Sequence, residues 1–305
     1  MKSVSDVKQQ VKEFLSSRRA RISPGDAGLP AYGGNRRVPG LRREEVAMLS
    51  GVSVDYYIRL ERGNIGGASD KILDAIANTL RLDDAEREYL FDLARSVTSR
   101  GKRSVGGKHE LQRSVRQVLD AITDTPAWVR NGRHDIIASN ALGAALYAPV
   151  FSDARRPVNT TRFTYLNPAA KQFWRDYDVI AHDAAAMLRL EAGRHPHDAE
   201  LIALIGELST GSELFRREWA LQDVKFHRSG VKRIHHPVVG DLELDFESME
   251  LPSAPGLVLN VYTAPANSPT ADALRLLSSW VASQEEVRKP AAIEQEGMMP
   301  KEGQQ

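Results

Sequence analysis

The segment Arg43-Glu44-Glu45-Val46-Ala47-Met48-Leu49-Ser50-Gly51-Val52-Ser53-Val54-Asp55-Tyr56-Tyr57-Ile58-Arg59-Leu60-Glu61 constrains this chain more than any other stretch. Apolar residues recur at helical spacing on both sides of a single glycine. Two short helices that cross steeply leave little room where they meet. Ala47 is small enough to stand at that contact, and Gly51 can take the positive φ that a tight turn demands. Val52 is placed to plug the core beneath the turn, and Ser53 to cap the second helix. Tyr57 and Leu60 supply that helix's buried face. Val54, Asp55, Tyr56 and Arg59 are left on the open face near its N-terminus, the part of such a motif that enters a DNA major groove.

The flanks extend this into a helical domain. Val7, Val11, Phe14 and Leu15 predict a helix behind a Ser3 cap. Residues 22–40 are broken by Pro24, Gly25, Gly28, Pro30, Gly33, Gly34 and Pro39 and read as a loop that carries Arg36 and Arg37. Ser69 is expected to cap a helix whose apolar face is Ile72, Leu73, Ile76, Ala77 and Leu80. Asp83 and Glu86 form a capping box for another, with Leu90, Leu93 and Ala94 facing inward. The expectation is an all-α domain over residues 1–95 and a polar, Gly-containing linker over 96–108.

Residues 109–283 mix periods. Helices are expected at 111–122, 139–147, 168–192, 198–209, 212–220 and 271–282, and strands at 127–130, 135–138, 224–227, 232–235, 242–251 and 257–263. The first two strands flank an Asn131-Gly132 turn. This is an α+β pattern with an antiparallel sheet. Asp241, Glu243 and Asp245 alternate with Leu242 and Leu244, as on a sheet face open to solvent. His235 and His236 should point to opposite sides of their strand. The tail over 284–305 is rich in Glu, Gln, Lys, Pro and Gly and is expected to be disordered.

Composition narrows the function classes. Residues 1–108 hold 20 Lys/Arg against 14 Asp/Glu, and the remainder holds 21 against 26, so a basic first part precedes an acidic second. That asymmetry suits a polyanion partner for the first part only. The chain has no cysteine, which removes disulfides, thiolate catalysis and Cys-ligated metals and fits a cytoplasmic setting. No apolar run reaches the ~18–20 residues of a membrane span. There is no nucleophile elbow, P-loop or dinucleotide fingerprint, so no enzyme activity and no cofactor are expected. His195/His197 and His235/His236 match no usual zinc spacing, and no metal is expected.

Ala47, Gly51, Val52-Ser53 and Leu60-Glu61-Arg62-Gly63 resemble the lambda-repressor-like (XRE) helix-turn-helix family. Pro39-Gly40-Leu41-Arg42-Arg43-Glu44-Glu45-Val46-Ala47 and Val54-Asp55-Tyr56-Tyr57-Ile58-Arg59-Leu60-Glu61 resemble a narrower group, regulators with an MmyB-like ligand-binding domain. Tyr57 departs from the pattern, since many members carry a branched aliphatic there, and its hydroxyl needs a partner. The resemblance continues through Leu119-Asp120-Ala121-Ile122-Thr123-Asp124-Thr125-Pro126-Ala127, Ala138-Ser139-Asn140-Ala141-Leu142, Asn167-Pro168-Ala169-Ala170 and His236-Pro237-Val238-Val239-Gly240-Asp241-Leu242-Glu243-Leu244.

This resemblance implies a two-domain fold. An N-terminal all-α helix-turn-helix bundle precedes a C-terminal α+β, PAS-like antiparallel sheet with helices packed on one side around an apolar pocket. It implies a transcriptional regulator that binds double-stranded DNA. By position it gives Arg43, Val54, Asp55 and Arg59 contacts with base edges. Arg36, Arg37, Arg42, Ser53, Tyr56 and Arg62 read as phosphate contacts. Asp55 could equally serve the helix dipole, and Arg62 a surface ion pair. The implied ligand is a hydrophobic small molecule, fatty-acid-like ones included. Asn140, Phe163, Phe173 and Trp174 are the pocket candidates, with a helix cap as the other reading of Asn140 and plain core as that of the aromatics. A homodimer is expected, because one short module rarely reaches useful specificity. The competing class is a DNA-binding protein whose second domain only dimerises or recruits a partner.

Overall fold

Val7, Val11, Phe14 and Leu15, spaced to share one helix face, build α1 (Val4–Arg21) and are buried in the N-terminal core. The computed structural model of the chain describes residues 4–29, 40–98 and 111–296. Ser3, the loop arginines Arg36 and Arg37, and residues 99–110 and 297–305 lie outside the described residues. Elements are numbered along the chain.

The predicted corner is present. α2 (Arg43–Leu49) ends just before Gly51, which adopts φ +68°, and α3 (Val54–Glu61) follows. A Cβ at Gly51 would meet nothing within 4 Å, so the left-handed φ, not crowding, calls for glycine. Ala47 is fully buried, and the Val52 N–H donates to its carbonyl at 3.0 Å. Ser53 caps α3, its hydroxyl accepting from Tyr56 N at 3.2 Å. Tyr57 and Leu60 are buried, while Val52 packs against the same core from a half-buried position.

Two further helices complete this bundle, α4 (Asp70–Thr79) and α5 (Asp84–Thr98). The capping box of α5 is reciprocal: Asp83 N donates to Glu86 Oε2 at 3.2 Å, and Glu86 N to Asp83 Oδ1 at 2.9 Å. Ser69 stands at the N-cap of α4, but its side chain makes no capping bond.

Packing divides the chain into two compact units, residues 1–108 with 178–227 and residues 109–177 with 228–305. The expected division at 1–95, 96–108 and 109–283 follows chain order, and the packing does not. The helices α11 (Tyr177–Arg194), α12 (Ala199–Gly211) and α13 (Glu213–Ala220) explain why. Leu190 and Val224 lie in the same apolar cluster as Val11, Phe14, Leu60 and Ile76. Residues 224–227 are therefore not the expected strand. Val224 is buried in that core, and the Lys225 ammonium bonds Asp183 at 2.7 Å.

The second unit holds α6 (Arg113–Ala121), β1 (Ala127–Asn131), β2 (Ile136–Ser139), α7 (Ala141–Leu146), α8 (Ala148–Phe151), α9 (Thr160–Leu166), α10 (Ala170–Phe173), β3 (Ser229–His236), β4 (Gly240–Glu250), β5 (Leu257–Thr263) and α14 (Pro269–Glu296). All neighbours in the five-stranded sheet are antiparallel, in the order β2-β1-β5-β4-β3. Alternation sorts the side chains. Trp128, Leu242, Leu244 and Tyr262 join the buried aromatic side with Tyr147, Phe173 and Trp174. Ala127, Val129, Leu257 and Leu259 pack with Val115 and Leu119 of α6, so helices cover part of both faces, not one. On the remainder of that second face Arg233 bonds Glu243 at 2.7 Å, beside the exposed Asp241 and Asp245. His236 is buried and His235 sits at the surface on Asp241, as the strand period required.

Three further expectations need correction. The β1–β2 turn is wider than a two-residue Asn-Gly turn: His134, not Gly132, takes φ +67°, and its N–H donates to Asn131 O at 3.1 Å. The single helix over 168–192 is broken between α10 and α11, because Trp174 leaves it to form a bridge with Ile234. Beyond residue 284 the chain continues as α14 to Glu296 where disorder was expected.

One carboxylate ties the first three helices together. Glu61, at the end of α3, is buried, and it accepts from Arg19 Nη2 at 3.0 Å and from Arg43 Nη2 at 3.1 Å. Burial raises its pKa, but the hydrogen bonds and charges of Arg19 and Arg43 outweigh that and hold the carboxyl below its ordinary range. A depressed carboxyl pKa adds stability above the unfolded value of ~4.3. That stability disappears as pH falls through the folded pKa. Glu61→Gln should cost roughly 1–3 kcal/mol at pH 7, at the low end because Arg43 is 41% exposed. Urea unfolding at pH 7 and pH 3.5 should show the penalty shrinking at the lower pH; an equal penalty at both would contradict the pairing.

Candidate DNA interface and ligand site

Of the four residues expected on the open face of α3, three are exposed and Tyr56 packs partly against the core. Val54 is 42% exposed, and Asp55 and Arg59 are exposed beside it. Tyr56 is half-buried, with the Arg59 guanidinium 5.9 Å from its ring centroid, which restricts where that charge can swing. Asp55 stands in the first turn of α3, where the helix dipole favours an anion. Arg62, at the C-cap, is exposed. Arg42 is exposed at the N-cap of α2, where its N–H donates to Glu45 Oε2 at 2.6 Å and its guanidinium lies 3.7 Å from Glu44.

Arg43 is the candidate whose setting differs most from expectation. Its Nε and Nη2 both bond Glu61, so half of its fork is already committed, and only the rest can reach a partner. Arg19 and Glu61 are the participants that sequence reasoning missed. Glu61 stood within a recognised string, but nothing in its spacing announced burial. Tyr57 is fully buried beside this cluster. Its hydroxyl makes no hydrogen bond of ordinary geometry; burial and the neighbouring Glu61 carboxylate both push its pKa up.

In the α+β unit, three of the four pocket candidates come together. Ring centroids of Phe163 and Phe173 are 5.7 Å apart, and those of Phe173 and Trp174 are 4.6 Å apart. Asn140 does not join them. Its Oδ1 accepts from Gly143 N at 2.7 Å and Ala127 N at 3.0 Å, and its Nδ2 donates to Ile122 O and Thr125 O. Every hydrogen-bonding position of that amide is occupied, so it caps α7 and has nothing left for a ligand.

Residues not foreseen complete the aromatic interior. Trp128 stacks on Tyr262 at 4.4 Å, and the Tyr147 ring lies 4.0 Å from Trp128. The hydroxyls of Tyr147 and Tyr262 meet at 2.9 Å. Burial pushes both phenols up, so both keep their protons. Two O–H donors then share one hydrogen bond. Asn260, across from Trp128 on the same sheet face, accepts from Ser248 Oγ at 2.7 Å, and its buried Nδ2 has no partner. The Lys232 ammonium rests 5.4 Å from the Trp174 ring and 5.3 Å from Phe246. His134 Nδ1 lies 2.6 Å from Thr161 Oγ1, and burial, then Arg130 and Lys232, hold its pKa well below the usual value.

Among the described residues no group of three or more His, Asp or Glu is arranged to hold a metal ion, and no helix is long and apolar enough to cross a membrane.

Comparison with known families agrees with this division of labour. A family model for a helix-turn-helix domain matches residues 15–90, which contain the corner at Gly51 and the open face of α3. The model for the MmyB-like transcription regulator ligand binding domain matches residues 111–277, more than half of the chain and all five strands of the sheet. Comparison with curated proteins gives no match. A helix-turn-helix with an exposed reading face, followed by a sensor-family domain over most of the remaining chain, identifies this protein as a member of the MmyB-like transcription regulators.

Proposed function

We propose that this regulator reads a specific DNA sequence through α3 and answers to a small apolar molecule held in its α+β unit. The open face of Val54, Asp55 and Arg59 above the Gly51 corner carries the DNA half of this reading. Arg59 pairs with guanine O6 and N7, Asp55 accepts from cytosine N4, and Val54 meets a thymine methyl. Arg36, Arg37, Arg42, Ser53, Tyr56 and Arg62 hold phosphates, and Arg43 adds the part of its guanidinium that Glu61 leaves free. Two copies bind together, each α3 taking one half-site.

The interior of the sheet supports a ligand with two chemical ends. Trp128, Tyr147, Phe163, Phe173 and Trp174 offer apolar walls. The unpartnered Asn260 Nδ2 and the proton that the Tyr147–Tyr262 bond does not use are donors, so the polar end of the ligand is an acceptor, a carboxylate or a carbonyl. The protein works in the cytoplasm and catalyses no reaction. A second reading, in which the α+β unit serves only dimerisation or recruitment, requires no such donors.

Selection of bound duplexes from a random pool tests the DNA reading and should enrich one motif. Against that motif, Arg59→Ala should cost roughly 1–3 kcal/mol at a single base pair and relax the preference there. Arg62→Ala should weaken all sequences alike and flatten the salt slope by about 1. A uniform loss in Arg59→Ala would remove its base-reading role. Native mass spectrometry of the purified protein should retain an apolar molecule bearing a carboxylate or carbonyl, lost in Asn260→Asp, which keeps the acceptor for Ser248 and removes the donor. A retained molecule without an acceptor group would overturn the donor argument while leaving a sensor, and no retained molecule at all would favour the recruitment reading.

A further inference from the structure

Residues 178–227 fall inside the match to the ligand-binding domain, yet they fold as part of the DNA-binding unit. Their attachment runs through α1 and α5. Arg18 of α1 is 1% exposed, its ring-facing side 4.6 Å from the Phe14 centroid. Its Nε lies 2.7 Å from Glu86 Oε1, and its Nη2 donates to Gln222 O at 2.5 Å and lies 3.5 Å from Asp223 Oδ1. Arg21 pairs with the same Glu86 and Asp223. Gln222 Nε2 returns a bond to Glu13 Oε2 at 2.9 Å. At the far end, Arg194 of α11 pairs with Glu88 and lies 3.6 Å from Asp92, both on α5.

Close packing backs up the charges. A Cβ on Gly193 of α11 would fall 2.3 Å from Cε2 of Tyr89. That ring is fully buried and set edge-on against Phe14 at 5.0 Å, so it has nowhere to turn. Arg189, one helical turn earlier, presses its guanidinium 4.0 Å from the Trp219 ring centroid and binds α13 to α11.

The neighbour of Arg18 is Arg19. Successive residues of a helix point about 100° apart. One arginine therefore reaches Gln222 and Asp223, while the next reaches Glu61 and, at 2.7 Å, Leu41 O at the entry to α2. The last turn of α1 is held from both sides. A buried guanidinium that loses its partners cannot keep its place without a large desolvation cost.

We propose that α11–α13 are the control element of the DNA-binding unit, and that Arg18 is the positioning residue joining them, through Arg19 and Glu61, to the reading helix α3. This rests on α3 reading DNA as proposed above. With α11–α13 docked, Arg19 and Arg43 are fixed on Glu61 and α3 is presented in one orientation. With them released, α1 loosens and sequence preference falls, while general attraction to phosphate remains.

Gly193→Ala in the full-length chain tests this, because alanine suits a helix but collides with Tyr89. Gly206→Ala on α12 is the matched control, since a Cβ there meets nothing within 4 Å. Hydrogen exchange should rise across α11–α13 and the last turn of α1 in Gly193→Ala alone. The ratio of affinities for the selected duplex and a scrambled one should fall at least tenfold. That ratio is unaffected by a loss of active protein, which a merely structural defect would cause. Asp223→Asn, nearly isosteric, should move the ratio in the same direction, and Asp223→Glu should restore it; this pair carries the test if Gly193→Ala does not fold. Release of α11–α13 with an unchanged ratio would overturn the coupling, and so would unchanged exchange in Gly193→Ala. A wild type that never distinguishes the two duplexes would overturn the DNA reading itself and the coupling with it, while the exchange data would still report the docking.

Discussion

Glu61 sits where three helices need a common anchor. A carboxylate with almost no exposure to water is stable there only because two guanidiniums reach it, Arg19 from α1 and Arg43 from the start of α2. The relative placement of α2 and α3, on which any reading of a groove depends, is therefore written in charge as well as in apolar packing. The Gly51 corner lets the chain turn, and the Glu61 cluster fixes what the turn presents. Because Arg19 is followed back along α1 by Arg18, the same helix end also receives the helices that arrive from residues 178–227.

The α+β unit solves a different problem. Its sheet buries aromatic rings on one side and leaves charges on part of the other, and on the buried side the Asn260 Nδ2 donor has no partner. In a closed apolar core such groups would cost free energy without return. An acceptor on the proposed ligand would give that donor its partner. The family assignment and this unpartnered donor point the same way, toward sensing.

What the sequence made legible was local. Gly51, Ser53 and the spacing of Ala47, Tyr57 and Leu60 identify the helix-turn-helix without reference to anything distant, and the structure places them accordingly. Asp83 and Glu86 announced their helix in the same way. What stayed hidden depended on partners far along the chain. Arg18 and Asp223 are 205 positions apart, and no periodicity links them. Val224 reads as a strand residue because its apolar neighbours alternate, but it is buried in a helical core. Trp174 breaks a helix that its sequence would continue, because Ile234 offers it a bridge. Asn140 shows the reverse: one of its two readings, the cap, follows from its position before Ala141, and the full set of its hydrogen bonds decides for it.

The central claim is that α3, presented by the Gly51 corner, touches the bases. Photocrosslinking to a selected duplex carrying 5-iodouracil at successive motif positions tests it directly, with the attached peptide identified by mass spectrometry. Adducts should map to α3, at Tyr56 first among its aromatic residues since Tyr57 is buried. Adducts confined to the α+β unit, with α3 untouched at every position of the motif, would contradict the account.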